Sequence, residues 1–158
     1  MYNILFVCLG NICRSPAAEG VMDTLISRQN PSPQIQVDSA GTAGYHAGEK
    51  ADRRMRQAAS ARGIELTSIS RQFRGREDFE KFDLIVAMDD ENLRDILRLD
   101  PSGRYRDKVV KMTDFCRRYN DKYVPDPYYG GPNGFEYVLD LLEDACNGLM
   151  EHLKNAKL

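Results

Sequence analysis

An unbroken apolar run, Ile4 to Cys8, begins almost at once in this chain and stops at a cysteine. With Tyr2 ahead of it, it reads as a strand without a polar face, which must be covered on both sides. Gly10 and Asn11 follow, then Arg14-Ser15-Pro16. From about Pro16 to Arg28, Ala17, Val21, Met22, Leu25 and Ile26 recur at helical spacing. Pro16 suits a first helical turn, where its missing N–H costs nothing. A doubly covered strand that passes straight into a helix opens a parallel α/β unit.

The rest of the chain repeats this alternation. Ile35 to Ala40 is a short strand ended by Gly41, and Asp52 to Arg62 is a helix stopped by Gly63. Phe82 to Met88 is a second buried strand, with a helix after it through Leu97. Lys108 to Met112 is a short strand. Asn133 to Leu153 is a long helix with Phe135, Val138, Leu139, Leu142, Cys146, Leu149 and Leu153 on one face. Strand then helix, four times over, predicts an α/β fold with a parallel sheet and helices on both sides. Ligands of such folds bind beyond the carboxyl ends of the strands, at the switch point, so the loop after the first strand is the first place to look. No repeat or linker divides the 158 residues, and one domain over 1–158 is expected. The stretch "VPDPYYGGPNG", Val124 to Gly134, reads as a surface loop.

Composition removes whole classes of function. Hydrophobic residues at 42% and charged ones at 29% exclude a disordered chain. A formal charge of −2 gives no general argument for nucleic acid or an anionic membrane. No apolar run is long enough to span a bilayer, and the start lacks the basic residues of a signal peptide. Four cysteines, Cys8, Cys13, Cys116 and Cys146, make no secreted disulfide framework at this length, so a cytoplasmic setting is expected. With His46 and His152 the only histidines, no zinc set is visible and no metal is expected. Cys116 and Cys146 read as core residues on helices, and His46 as a solvated loop residue.

The spacing Cys8, five residues, Arg14 is weak evidence alone; its setting gives it weight. Gly10 and Asn11 are the residue types that most readily take left-handed angles, and a loop curled that way turns successive N–H groups inward as an anion nest. The helix after it adds the positive end of its dipole, and Arg14 a planar fork matched to two phosphate oxygens. A cysteine on the floor of such a nest is favoured as thiolate and sits against any bound oxyanion. Ser15 is placed to donate to that sulfur, to cap the helix, or both. Cys13 lies across the loop; a transient disulfide with Cys8 and a spare thiol fit the spacing equally well.

A thiolate that displaces an oxygen from phosphorus needs an acid to protonate the leaving group. Asp126 is the best of the 24 carboxylates. It stands between two prolines, Pro127 keeps it extended, and Tyr128 and Tyr129 follow as walls for an aromatic ring.

"CLGNICRSP" together with "DPYYG" resembles the low molecular weight protein tyrosine phosphatases. The likeness continues through "DSAGT", "RQF" and "FDLIVAMDDENL" to the final helix. The resemblance implies a single-domain three-layer sandwich with a four-stranded parallel sheet in order 2-1-3-4. It implies a phosphotyrosine hydrolase with a cysteinyl-phosphate at Cys8, Arg14 on the phosphoryl oxygens and Asp126 as general acid, then base. The phosphate-binding loop would be Leu9, Gly10, Asn11, Ile12, Cys13, Arg14 and Ser15. Asn11, Ser15 and Ser39 would hold it in shape, and Leu9, Ile12, Tyr45, Tyr128 and Tyr129 would wall the cleft. No cofactor is implied. The partners implied are phosphotyrosine-bearing proteins, a tyrosine kinase among the candidates, with the chain a monomer or weakly self-associated. One departure stands out. Eukaryotic members carry a histidine before Arg71-Gln72 that supports the loop asparagine, whereas this chain offers Ser68 and Ser70, a weaker or water-borne support. The alternatives on the same scaffold are an arginine phosphatase, which resembles this loop with threonine where Ile12 stands, and an arsenate reductase. A phosphate-binding module without catalysis is the third.

Overall fold

The computed structural model describes residues Met1–Lys157. Nine main elements follow in order: β1 (Tyr2–Cys8), α1 (Arg14–Ser27), β2 (Ile35–Gly41), α2 (Arg53–Ser60), α3 (Gly75–Lys81), β3 (Leu84–Ala87), α4 (Asp90–Arg98), β4 (Val109–Lys111) and α5 (Gly134–Asn155). The four strands form one parallel sheet in the order β2-β1-β3-β4. Every strand expected from the sequence is present, within two residues at each end. The helix α3 was not expected: "GREDFEK" buries only Asp78 and Phe79, too few for a period to show.

Alternation along β1 divides the core. Ile4, Phe6 and Cys8 face Ala17, Val21 and Met22 of α1 and Val138, Leu139 and Leu142 of α5. Leu5 and Val7 face the other layer, with Phe79 of α3 and Ile96 of α4. The handedness of crossovers explains which helix lies where. The connection from β1 to β2 steps one way along the sheet and puts α1 on one face. The steps from β2 to β3 and from β3 to β4 run the opposite way and put α3 and α4 on the other. The reversal falls at β1, so the crevice opens at the carboxyl end of β1, beside Cys8.

Cys146 is fully buried in α5, as expected. Cys116 departs from the expectation: it is only half-buried and lies just past a short 3₁₀ turn, Met112–Phe115, rather than on a helix. The segment after it is tied to α5 by Asp144, whose Oδ2 accepts from the N–H groups of Arg117, Arg118 and Tyr119 at 3.0–3.1 Å. Further on, the Val124 N–H donates to the Met88 carbonyl at 2.8 Å, which brings the loop that carries Asp126 to the end of β3. Among the described residues no helix is long and apolar enough to cross a membrane.

Candidate active site

The loop from Leu9 to Cys13 is held from outside by its carbonyls. Cys8 O accepts from Thr42 N (2.9 Å), Leu9 O from Ala43 N (2.9 Å) and Ile12 O from Asp52 N (2.8 Å). Gly10 O accepts from the Ser70 hydroxyl at 3.0 Å. Carbonyls drawn outward leave the amide hydrogens to the inside of the curve. One of them, Asn11 N–H, donates to Cys8 Sγ at 3.3 Å.

Of the two residues expected in left-handed geometry, only Asn11 adopts it, with φ 57°. At Gly10 a Cβ would stand 3.0 Å from Cδ2 of the partly exposed His46 side chain, a tight approach that would shift the imidazole. His46 is a loop residue with its side chain 38% exposed, as expected, and it also lines the cleft, its Nδ1 lying 2.8 Å from Glu49.

Ser15 bonds the sulfur but does not cap the helix. Its Oγ lies 3.0 Å from Cys8 Sγ and accepts from Asn11 Nδ2 at 2.7 Å. The α1 helix already begins at Arg14, and Cys13, at its cap position, makes no side-chain cap bond. Ser15 Oγ accepts from Asn11, and its one proton has two acceptors in reach, the sulfur at 3.0 Å and the Ala40 carbonyl at 3.4 Å. The amide of Asn11 is fixed at its other end, where Oδ1 accepts from Arg71 N at 3.0 Å. The support assigned to a histidine in eukaryotic relatives thus comes here from a main-chain N–H, with Ser70 gripping the neighbouring carbonyl directly.

Ser39 does not hold the loop, contrary to expectation. Its hydroxyl donates to Glu19 Oε1 at 2.6 Å, behind the loop on α1. Burial pushes the Glu19 carboxyl up to about 7, with the charges of Asp38 and Asp23 adding to the rise and Ser39 opposing it. A carboxyl raised from 4.5 to about 7 binds its proton more tightly in the folded state. Its contribution is complete below about 4.5 and is lost as pH climbs through about 7. Glu19→Gln is therefore expected to match the parent in melts at pH 5 and to exceed it at pH 8. The gain is on the order of 2 kcal/mol, or several degrees at this chain length. A melting difference that does not change with pH would refute this reading of Glu19.

Arg14 is 5% exposed, and its charge is matched from beneath. Its Nη1 donates to Asp89 Oδ2 at 2.7 Å and to the Val124 carbonyl at 3.1 Å. Burial works against the guanidinium, but the sulfur of Cys8 and the carboxylate of Asp89 outweigh it and hold Arg14 charged. Asp89 was missed in the sequence. "DDENL" carries the signature of a helix cap, and Asp89 Oδ1 does cap α4 through Asn92 N at 2.7 Å. Nothing local tells that the second oxygen reaches back 75 residues to the arginine.

Asp126 is extended (φ −71°, ψ 121°), as Pro127 requires, and its Oδ1 accepts from Tyr128 N at 3.0 Å. The loop abuts the start of α5 so closely that a Cβ on Gly134 would lie 2.6 Å from the Pro127 carbonyl. Leu9, Ile12, Tyr45 and Tyr128 line the cleft with Cys8, Cys13, Arg14 and Asp126. Tyr129 does not: it is 89% exposed and outside the wall. Pro127–Tyr129 is a 3₁₀ turn, and at three residues per turn adjacent side chains point a third of a circle apart. Burial pushes the Cys13 thiol up to about 12, with Asp52, Cys8 and Asp126 adding and a hydrogen bond with Tyr128 opposing. Cys13 is therefore a neutral thiol beside the more polar setting of Cys8. Both cysteines are free.

A family model for low molecular weight phosphotyrosine protein phosphatase matches residues 3–158. A Synechocystis protein assigned to the low molecular weight protein-tyrosine-phosphatases is 52% identical over 150 residues, 95% of each chain. The crystal structure of an Entamoeba histolytica protein tyrosine phosphatase with Hepes in its active site superposes with a TM-score of 0.94 at 48% identity, covering 100% of both chains. A Drosophila arginine phosphatase is also similar, with a TM-score of 0.85 at 29% identity over 96% of this chain and 97% of that one. Fold and kinship together define a cysteine-dependent phosphatase, a hydrolase. The chain belongs to the low molecular weight phosphotyrosine protein phosphatase family.

Proposed function

We propose that this protein hydrolyses phosphotyrosine in proteins in two steps, with Cys8 as nucleophile, Arg14 as the phosphoryl clamp and Asp126 as acid and then base. The observation that carries the reading is the setting of Cys8 Sγ. It receives the Asn11 N–H at 3.3 Å and lies 3.0 Å from the Ser15 hydroxyl oxygen, in one cleft with Arg14 and Asp126. In the first step the sulfur attacks phosphorus and the bond to the phenolic oxygen breaks. Its electron pair stays on that oxygen, which takes the proton of Asp126. In the second step water attacks the cysteinyl-phosphate and gives its proton to the Asp126 carboxylate. The S–P bond breaks, restoring the thiolate and releasing phosphate. Arg14 keeps Nη2–H and Nε–H for two phosphoryl oxygens, since the bonds to Asp89 and Val124 use only Nη1.

The depth of the sulfur favours an aryl ester. Cys8 is 3% exposed, below walls that include Leu9, Ile12, Tyr45 and Tyr128. A phosphate on the far end of a phenol reaches such a floor while its ring lies against Tyr128; a phosphate one carbon from the backbone does not. Free thiols in all four cysteines agree with a cytoplasmic enzyme, acting on tyrosine-phosphorylated proteins. The test is a panel of phosphotyrosine, phosphoserine and phosphoarginine peptides of one sequence, without added metal. Phosphotyrosine is expected to lead in kcat/KM by at least about a hundredfold, a margin set by loss of fit in the cleft. A faster phosphoarginine peptide would move the assignment to the arginine phosphatases.

A further inference from the structure

Asp52 has no part in the two steps above, yet three elements meet on it. Its N–H donates to the Ile12 carbonyl of the phosphate loop at 2.8 Å. Its Oδ1 caps α2 through Arg54 N at 2.8 Å and Met55 N at 3.3 Å. Its Oδ2 accepts from the Tyr128 hydroxyl at 2.9 Å, across 76 residues of sequence. Tyr128 in turn donates its N–H to Asp126 Oδ1 at 3.0 Å. Arg54 closes the group: it pairs with Asp52 at 3.4 Å and lies over the rings of Tyr128 and Phe135 at 4.9 and 4.8 Å.

The protons are placed to keep this link made. Burial opposes the charge of Asp52, but hydrogen bonds from Arg54, Tyr128 and the backbone outweigh it and hold the carboxyl below its usual range. Burial, with Cys13 and Asp52, pushes the Tyr128 phenol up, so it remains an O–H donor. The cap alone needs one carboxylate oxygen, and a serine supplies that as well. The second oxygen spans from the phosphate loop to the acid loop.

We propose that Asp52 is a positioning residue for catalysis: joined to Ile12 by its N–H and to Tyr128 by its carboxylate, it fixes the acid loop over the phosphate loop and keeps Asp126 within reach of the leaving oxygen. The proposal rests on the assignment of Asp126 as general acid. Such a role has energetic weight because a displacement of about 1 Å in a reacting group can cost up to a hundredfold in rate.

The test uses kcat/KM for aryl phosphates of graded leaving-group basicity, a quantity that reports steps up to loss of the phenol. Asp126→Ala is the reference, with an expected loss of about a hundredfold on phenyl phosphate and less on p-nitrophenyl phosphate. Without that gradient the acid assignment itself fails, whatever Asp52 does. Asp52→Ser keeps a helix cap but is too short for the phenol, and Tyr128→Phe keeps the ring and loses the hydroxyl. Each is expected to lower kcat/KM on phenyl phosphate by about five- to tenfold, the worth of one hydrogen bond, and on p-nitrophenyl phosphate by under about twofold. The double variant should be no worse than either single one, and Asp52→Asn, whose one oxygen must serve either the helix cap or the phenol, should fall between the parent and Asp52→Ser. Losses that multiply in the double variant, or that are equal for both esters, would overturn the proposal with the acid assignment intact.

Discussion

Cys8→Ser is expected to abolish turnover, with a loss of at least about 10⁴-fold in kcat, the scale seen when a covalent nucleophile is removed. The substitution is close to isosteric, and the groups around the sulfur are indifferent to it structurally. Asn11 N–H and the Ser15 hydroxyl both bond an oxygen as well as they bond sulfur. What changes is ionisation. A thiol is ordinarily ionised within a few units of neutral pH and sulfur is a strong nucleophile, whereas a serine hydroxyl is not ionised in water and attacks only with a base to take its proton. Binding should survive the loss. Phosphate is expected to bind the variant with nearly unchanged affinity, because the loop amides and the Arg14 fork remain. The measurement pairs p-nitrophenyl phosphate turnover with quenching of an acid-stable phosphoenzyme signal, present in the parent and absent in the variant. Turnover within tenfold of the parent would take Cys8 out of the nucleophile's place. In the parent, iodoacetate should alkylate Cys8 at neutral pH, and phosphate should protect it; Cys13, a neutral thiol, should lag far behind.

How much of this was legible in the sequence depended on whether the information was local. The strand from Tyr2 to Cys8 and the helix after Arg14 show in the chain because burial on both faces leaves an uninterrupted apolar run. The extended Asp126 shows because proline restricts its neighbour. Local geometry also misled. Gly10 looked like a left-handed residue, and it turns out to be the space His46 packs into. Tyr128 and Tyr129 looked like one wall until a 3₁₀ turn set them apart. Ser39 sits opposite Phe6 in the sheet, and Phe6 faces the α1 layer; strand parity alone would have aimed it at α1, where Glu19 waits.

The residues that were missed share a different trait. Asp89, Asp52 and Arg71 all sit in charged, helix-opening or loop stretches, where a carboxylate or guanidinium reads as solvated. Each instead makes a bond across 60 residues or more: Asp89 to Arg14, Asp52 to Tyr128, and the Arg71 N–H to Asn11. For the two aspartates a helix cap disguises a second duty. One oxygen satisfies the local chain, and the other is free for the site.

That division of labour is sharpest beneath Arg14, and it makes the second large effect predictable. Arg14→Lys is expected to lower kcat/KM by about 10³-fold although the charge is kept, on the scale of losing a transition-state oxyanion donor. The proposed mechanism gives the arginine two tasks at once, one toward the protein and one toward the phosphoryl group. Nη1 bonds Asp89 at 2.7 Å and the Val124 carbonyl at 3.1 Å, which also anchors the strand-like segment leading to Asp126. In the proposed mechanism the remaining edge would fork onto two phosphoryl oxygens in a fixed plane. A lysine ammonium is one point with three protons. If it bonds Asp89 it withdraws from the phosphoryl group; if it turns to the phosphoryl group it leaves Asp89 charged and half-enclosed, with side-chain exposure of 22%. Charge alone would keep much of the binding of a phosphate dianion, so the inhibition constant of inorganic phosphate should rise by under about tenfold, against the thousandfold kinetic loss. Adding Asp89→Asn separates the two tasks. In the lysine background it frees the ammonium from its competing partner and should restore about tenfold of kcat/KM, whereas in the arginine background it should only cost activity, because it loosens the guanidinium. Equal losses in phosphate affinity and in kcat/KM for Arg14→Lys would mean that the fork serves ground-state binding alone, and the clamp assigned to the transition state would have to be sought elsewhere in the loop.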